Sequence, residues 1–289
     1  MLTTEEILKK VRELEIKSKK LTRHIFTGEY HSAFKGRGMH FKEVREYHHG
    51  DDIRFIDWNV SARFSHPFSK VFEEERELTV MLLIDISGSS LFGTVHARKK
   101  DVINEIGAVL AFSAISNNDK VGLILFSDKM EKFIPPKKGR DHVLYIVREL
   151  LTFRPKRRGT DLADAFRRFN NSTRQRCIAF VLSDFINDNF EDALKVAGKK
   201  HDVIGIKVYD KMDMELPEIG LIETEDSETG EQKWVDTDNI LVRQDYQSNF
   251  FAWSDACKNI FTRAGCDLLH IRTDEDYVKV LQKFFISRN

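Results

Sequence analysis

The chain has 289 residues with 46 basic and 46 acidic side chains and a formal net charge of zero, so no global field draws it to nucleic acid or an anionic membrane. A chain of this size buries roughly 75% of its unfolded surface, enough for one large domain with an appendage or for two, and no run approaches the ~18 apolar residues of a membrane span. Cys177, Cys257 and Cys266 are too few and scattered for a disulfide framework or a zinc site, and their apolar neighbours mark them as reduced core residues of a cytoplasmic protein.

Residues 5–20 place Ile7, Leu8, Val11, Leu14 and Ile16 among Lys and Glu, the pattern of an amphipathic helical arm with Thr4 as its cap. From Gly28 to Arg63 glycine, aromatic and charged residues alternate without a sustained period, which predicts loop and short strand. Within it, Gly50, Asp51 and Asp52 read as a turn rather than as part of a metal cluster with His48, His49 and Asp57, and Phe55 and Trp58 read as packing residues. Phe72–Glu77 is a charged connector, and the domain boundary is placed near Leu78. This divides the chain into an accessory segment, 1–77, and a main domain, 78–289.

Beyond it a regular alternation begins. Val80–Asp85 and Val121–Phe126 are continuous apolar strands separated by a helix with Ile103, Ile106, Leu110 and Ala114 on one stripe. Lys129–Pro135 is expected as a short edge strand stopped by Pro135 and Pro136. Helices follow on Val143, Val147, Leu150 and Leu151, and on Leu162, Ala165, Phe166 and Phe169. Cys177–Leu182 and Val203–Val208 are strands flanking a helix on Phe190, Leu194 and Ala197. Ile219–Thr224 and Lys233–Asp236 surround a polar turn and predict an inserted β-hairpin. A helix on Phe250, Trp253, Cys257, Ile260, Phe261 and Ala264, then a strand at Leu268–Ile271 and a helix on Tyr277, Leu281 and Phe284, complete the pattern. Near-continuous apolar strands alternating with helices predict an α/β, doubly wound, mostly parallel sheet covered on both faces.

In such sheets ligands gather beyond the carboxyl ends of the strands. Asp85, Ser87 and Ser89 stand where the first apolar strand ends, Asp184 follows Cys177–Leu182, and Thr160 opens a helix. Each alone reads as a cap or turn residue. Together they are five hard-oxygen donors on one rim, suited to Mg2+ or Mn2+ with a coordination position left open.

This DxSxS, Thr and Asp order resembles the metal-ion-dependent adhesion site of von Willebrand factor A domains, at Asp85, Ser87, Ser89, Thr160 and Asp184. The resemblance implies that the hydroxyls of the two serines and the threonine reach the metal directly or nearly so, that one or both aspartates act through water, and that a partner protein's carboxylate takes the open position. KGRGMHFKEVREYHHGDD, IDWNVSAR and LPEIGLIETEDSETGE are similar to segments of the bacterial family called domain of unknown function 58. That likeness implies a non-enzymatic adaptor or assembly partner of a MoxR-type AAA+ ATPase.

The alternative is a Mg-dependent phosphotransferase or phosphatase centred on Asp85 and Asp184. It lacks the acid/base carboxylate two residues on, where Ser87 stands. No GxSxG elbow and no Walker GxxxxGK occurs, so hydrolase chemistry and nucleotide turnover are not expected. Lys156, Arg157 and Arg158 abut Thr160 and are read as a basic patch that steers an acidic partner to the rim.

Overall fold

The structure, a computed structural model, describes Glu6 and residues 9–16, 39–74, 78–94, 98–187 and 189–288. By internal contacts the chain forms two compact units, one from Met1–Thr27 with Thr79–Asn289 and one from Gly28–Leu78. The first helix, α1 (9–16), therefore groups with the α/β unit, whereas the sequence placed it with the accessory segment. Leu14 is buried, and Glu15 pairs with Arg140 at 3.1 Å. Thr4, Ile7 and Leu8, expected as its cap and apolar stripe, lie outside the described residues.

The described part of the smaller unit is more regular than its sequence suggests. Strands β1 (Met39–Glu46) and β2 (Phe68–Glu74) pair antiparallel, with a register shift between Phe41 and Glu43. A 3-10 turn (Ile53–Phe55) and a helix, α2 (Trp58–Phe64), lie between them. The expected connector at Phe72–Glu77 is thus largely strand as far as Glu74. The register shift and the shortness of α2 hid both elements from periodicity. Asp52 caps the 3-10 turn and Asp57 caps α2 by accepting from Asn59 N and Val60 N, while Asp51 accepts from His48 N and Arg45. Asp51, Asp52 and Asp57 are thus cap and turn residues. Trp58 is 72% exposed, so the packing role expected of it is corrected: at the first position of α2 its indole faces solvent.

The larger unit is built on a six-stranded sheet in the order β10-β7-β6-β3-β4-β5. Its strands are β3 (Thr79–Asp85), β4 (Lys120–Phe126), β5 (Met130–Lys137), β6 (Ile178–Ser183), β7 (Asp202–Tyr209) and β10 (Asp267–Arg272). All neighbours are parallel except β4 and β5. This is the α/β, doubly wound, mostly parallel architecture expected. β5 runs through Pro135 and Pro136 instead of stopping there. It is an edge strand, and its ladder skips between Val121 and Leu123, so the missing proline N–H groups cost no regular pairing.

Because side chains alternate across a strand, the two faces make two cores. Met81, Leu83, Ala179 and Val181 pack under α5 (Leu162–Ser172), α6 (Glu191–Lys200) and α8 (Ile240–Arg263), through Phe166, Phe169, Leu194 and Phe261. On the other face lie α3 (Lys99–Ser116), α4 (Arg140–Thr152) and α9 (Tyr277–Arg288). There Ile84 and Leu150 close on Gly107, and Phe180 meets Phe285 edge-on with ring centroids 6.1 Å apart. The buried part of α8 begins at Ser254; Trp253, expected on its apolar stripe, is 42% exposed. The inserted hairpin is present as β8 (Leu221–Glu225) and β9 (Gln232–Asp236), paired only with each other. A four-residue helix, α7 (Lys211–Met214), follows β7. Among the described residues no helix is long and apolar enough to cross a membrane.

The chain runs from β3 outward to β4 and β5, then returns to place β6 on the other side of β3. Strand order reverses between β3 and β6, and the crevice beyond their carboxyl ends is where such sheets accept ligands.

Candidate functional site

Asp85 is the last residue of β3 and is buried. Its Oδ1 accepts from Ser87 N at 2.9 Å and its Oδ2 from Ser183 Oγ at 2.6 Å, which ties the end of β3 to the end of β6. A 3-10 turn at Gly88–Leu91 follows and brings Ser87 Oγ and Ser89 Oγ to 3.0 Å. Ser90 Oγ closes the turn by donating to Ser87 O. The loop is fastened sideways by Gly88 N, which donates to Arg158 O at 2.7 Å. Thr160 lies two residues beyond, just before Asp161, which caps α5 by accepting from Asp164 N. Asn187 Nδ2 donates to Thr160 O, joining that loop to the one after β6 that carries Asp184.

Asp85, Ser89 and Asp184 line one small recess together with Ser90, Lys99 and Ile103. Burial and the neighbouring Asp184 push Asp85 up to about 7, although hydrogen bonds from Ser183 and Ser87 favour its charged form. Lys99, in the first turn of α3, is 2% exposed and sends its ammonium to Asp184 Oδ2 and Asp213 Oδ2, each at 3.2 Å. Burial works against that charge, but the two carboxylates outweigh it and hold Lys99 above the ordinary lysine range. Asp184 and Asp213 also line a cavity of about 300 Å³ together with Lys207, Tyr209, Tyr246, Phe250 and Trp253. Lys207 lies 5.4 Å from the centroid of the Phe250 ring, and burial lowers its pKa.

The donor set fits a small, hard divalent cation. Mg2+ prefers octahedral oxygen coordination at about 2.0 to 2.1 Å, which sets adjacent ligand oxygens about 3.0 Å apart; Ser87 Oγ and Ser89 Oγ already stand at that spacing. Two buried carboxylates, Asp85 and Asp184, also meet here, and Lys99 pairs with Asp184 and Asp213, so the repulsion between the two carboxylates is one that further positive charge relieves. Among the described residues no group of three or more His, Cys, Asp and Glu could hold a metal. A cation at this rim would therefore depend on the serine and threonine hydroxyls as well as on Asp85 and Asp184.

The structure brings Asp85, Ser87, Ser89 and Asp184 together and places Thr160 on the adjoining loop. The Thr160 hydroxyl donates to Glu228 Oε1, at the tip of the hairpin, at 2.7 Å. Lys156, Arg157 and Arg158 are exposed, but Arg157 is paired with Asp128 at 2.8 Å and Arg158 serves through its carbonyl. Sequence reasoning missed Lys99, Ser183, Asp213 and Glu228. Ser183 could have been found, since it directly precedes Asp184 at a strand end; the other three look in sequence like ordinary surface charge.

The model of the family described as "Protein of unknown function DUF58" matches residues 43–253. The uncharacterized protein Rv1480 of Mycobacterium tuberculosis is 30% identical over 281 residues, covering 96% of this chain and 88% of that one. The crystal structure of an aerotolerance-related membrane protein from Bacteroides fragilis covers 73% of this chain and 99% of its own, at 17% identity and a TM-score of 0.52. The SpRpn10 VWA domain covers 74% of this chain and 95% of its own, at 16% identity and a TM-score of 0.39.

Proposed function

Since this chain belongs to the DUF58 family, we propose that it is a divalent-metal-dependent protein-interaction module whose rim takes a carboxylate from a partner. The observation that carries this reading is the convergence of Asp85, Ser87, Ser89 and Asp184 at the switch point between β3 and β6, with Thr160 on the next loop. Mg2+ or Mn2+ bound there would supply a Lewis-acidic position for the partner's carboxylate oxygen. The chain's own residues do the rest. Ser183 and the Ser87 N–H orient Asp85, the Gly88–Arg158 bond holds the serine loop against the Thr160 loop, and Lys99 neutralises part of the Asp184 charge.

Binding is favoured over phosphoryl transfer by the state of Asp85. Both of its oxygens already accept hydrogen bonds within the fold, and residue 87 offers a hydroxyl where a proton-transferring carboxylate would be needed. The likeness of KGRGMHFKEVREYHHGDD, IDWNVSAR and LPEIGLIETEDSETGE extends the reading to a MoxR-type AAA+ ATPase as partner, with this protein coupling it to a client. Exposed Lys156 and Arg158 would add steering for an acidic segment.

The test is partner capture from cell extract with Mg2+ and with EDTA, using wild type and Asp85→Ala. The reading requires partners that are lost in EDTA and lost with Asp85→Ala. Identical recovery in all four arms, or Mg2+-dependent turnover of a phosphoester that Asp85→Asn abolishes, would remove it.

A further inference from the structure

The hairpin tip contributes a carboxylate to the same rim, and nothing in the metal motif anticipates it. Glu228 Oε1 accepts from the Thr160 hydroxyl at 2.7 Å. A hydroxyl that gives its hydrogen to a carboxylate still presents lone pairs to a cation, so Thr160 can serve both at once. The tip is built to hold this pose. Asp226 Oδ1 accepts from Glu228 N at 2.8 Å and from Thr229 N at 3.0 Å, and Gly230 turns the chain at φ +76 while its N–H donates to Asp226 O. It also sits directly on the serine loop. A Cβ placed on Gly88 would come within 2.3 Å of Ser227 O, so residue 88 must be glycine for the tip to seat.

The rest of the hairpin is attached elsewhere. Its base is fixed by Ile219 N to Thr237 Oγ1, Thr237 N to Gly220 O and Gly220 N to Asp238 Oδ1. Between base and tip its strands pair only with each other, and Leu221 and Trp234 are 63% and 65% exposed. Such a two-stranded ribbon, anchored at one end and touching the site at the other, can lift without disturbing the core.

We propose that Glu228 is the site's own carboxylate, a ligand held in cis where a partner's acid would act, so that an acidic partner binds by displacing the hairpin tip. This deepens the metal-dependent reading above and rests on it. It makes the module self-closed: a partner must outcompete a tethered carboxylate whose effective concentration is high because the linker is short.

The experiment pairs a calorimetric Mg2+ titration with amide hydrogen exchange over residues 221–236 of the full chain, in Mg2+ and in EDTA, for wild type and Glu228→Gln. Wild type should bind Mg2+ and its tip amides, 226–230, should exchange about tenfold more slowly when it does. Glu228→Gln should still bind Mg2+, several-fold more weakly, with tip exchange as fast as in EDTA. If wild type binds Mg2+ but its tip does not respond, or Glu228→Gln keeps the full Mg2+-dependent protection, the in-cis ligand is wrong while the metal site stands. If wild type takes up no Mg2+, both readings fall together.

Discussion

Lys99 Nζ lies 3.2 Å from Asp184 Oδ2, with both side chains almost wholly out of solvent. The fold thus places a fixed positive charge against one of the two carboxylates that line the candidate site, and Asp213 shares it at 3.2 Å. Removing one member of a buried pair costs about 3 to 5 kcal/mol, because the other is left as an uncompensated charge. Lys99→Met should therefore lower unfolding free energy by that amount in EDTA, measured by urea denaturation, and Mg2+ should restore part of the loss by replacing the missing charge. A loss below about 1 kcal/mol in EDTA would show that the pair is not structural.

At Gly205, Phe261 of α8 packs directly on the sheet backbone. A Cβ there would meet the Phe261 ring at 2.5 Å and Leu268 Cδ1 at 2.8 Å, in the middle of β7. Overpacking of this kind typically costs about 1 to 3 kcal/mol. Gly205→Ala should destabilise the protein by that amount while leaving Mg2+ affinity unchanged, since the strain lies in the core of one face. Thermal melts and a metal titration on the same sample check both halves.

His201 gives the fold an acid-sensitive point away from the site. It is 2% exposed, its Nδ1 meets Cys177 Sγ at 3.3 Å, and among the described residues its Nε2 has no hydrogen-bond partner. Burial, followed by Lys200 and Arg176, pushes its pKa down from 6.5 to about 4. Between those values the unfolded chain binds the proton and the folded chain does not, so stability is present above 6.5 and lost as pH falls toward 4. At about 1.36 kcal/mol per pH unit this amounts to about 3 kcal/mol. Urea midpoints at pH 7 and pH 4 should fall further for wild type than for His201→Gln; parallel losses would mean that His201 does not titrate as described.

The sheet was legible because strands buried on both faces are written as unbroken apolar runs: Val80–Asp85 and Val121–Phe126 differ from β3 and β4 by one residue at their starts. The five hard-oxygen residues were legible as an ordered motif at strand and helix ends. Lys99 was not, because adjacent Lys99 and Lys100 are chemically alike and only tertiary packing decides which one enters the core. Lys99 N bonds Phe92 O, and its side chain turns inward to Asp184. Glu228 was hidden for a related reason. A polar hairpin tip looks solvated in sequence, and its contact with Thr160 spans 68 residues. β2 and α2 were missed, and β1 was foreseen only as unplaced short strand, because a shifted ladder and a seven-residue helix leave too little period to read.

The central claim is that the rim of β3 and β6 holds a divalent cation through Asp85 and its neighbours, and Mg2+ titration of wild type against Asp85→Asn tests it most directly. Wild type should bind one equivalent, and at about 100-fold excess over its Kd the ion should add about 2.7 kcal/mol, raising the melting temperature by about 5 °C. Asp85→Asn should bind none and melt at the same temperature with Mg2+ or EDTA. Equal Mg2+ uptake by the two proteins, or none by wild type, would contradict the account.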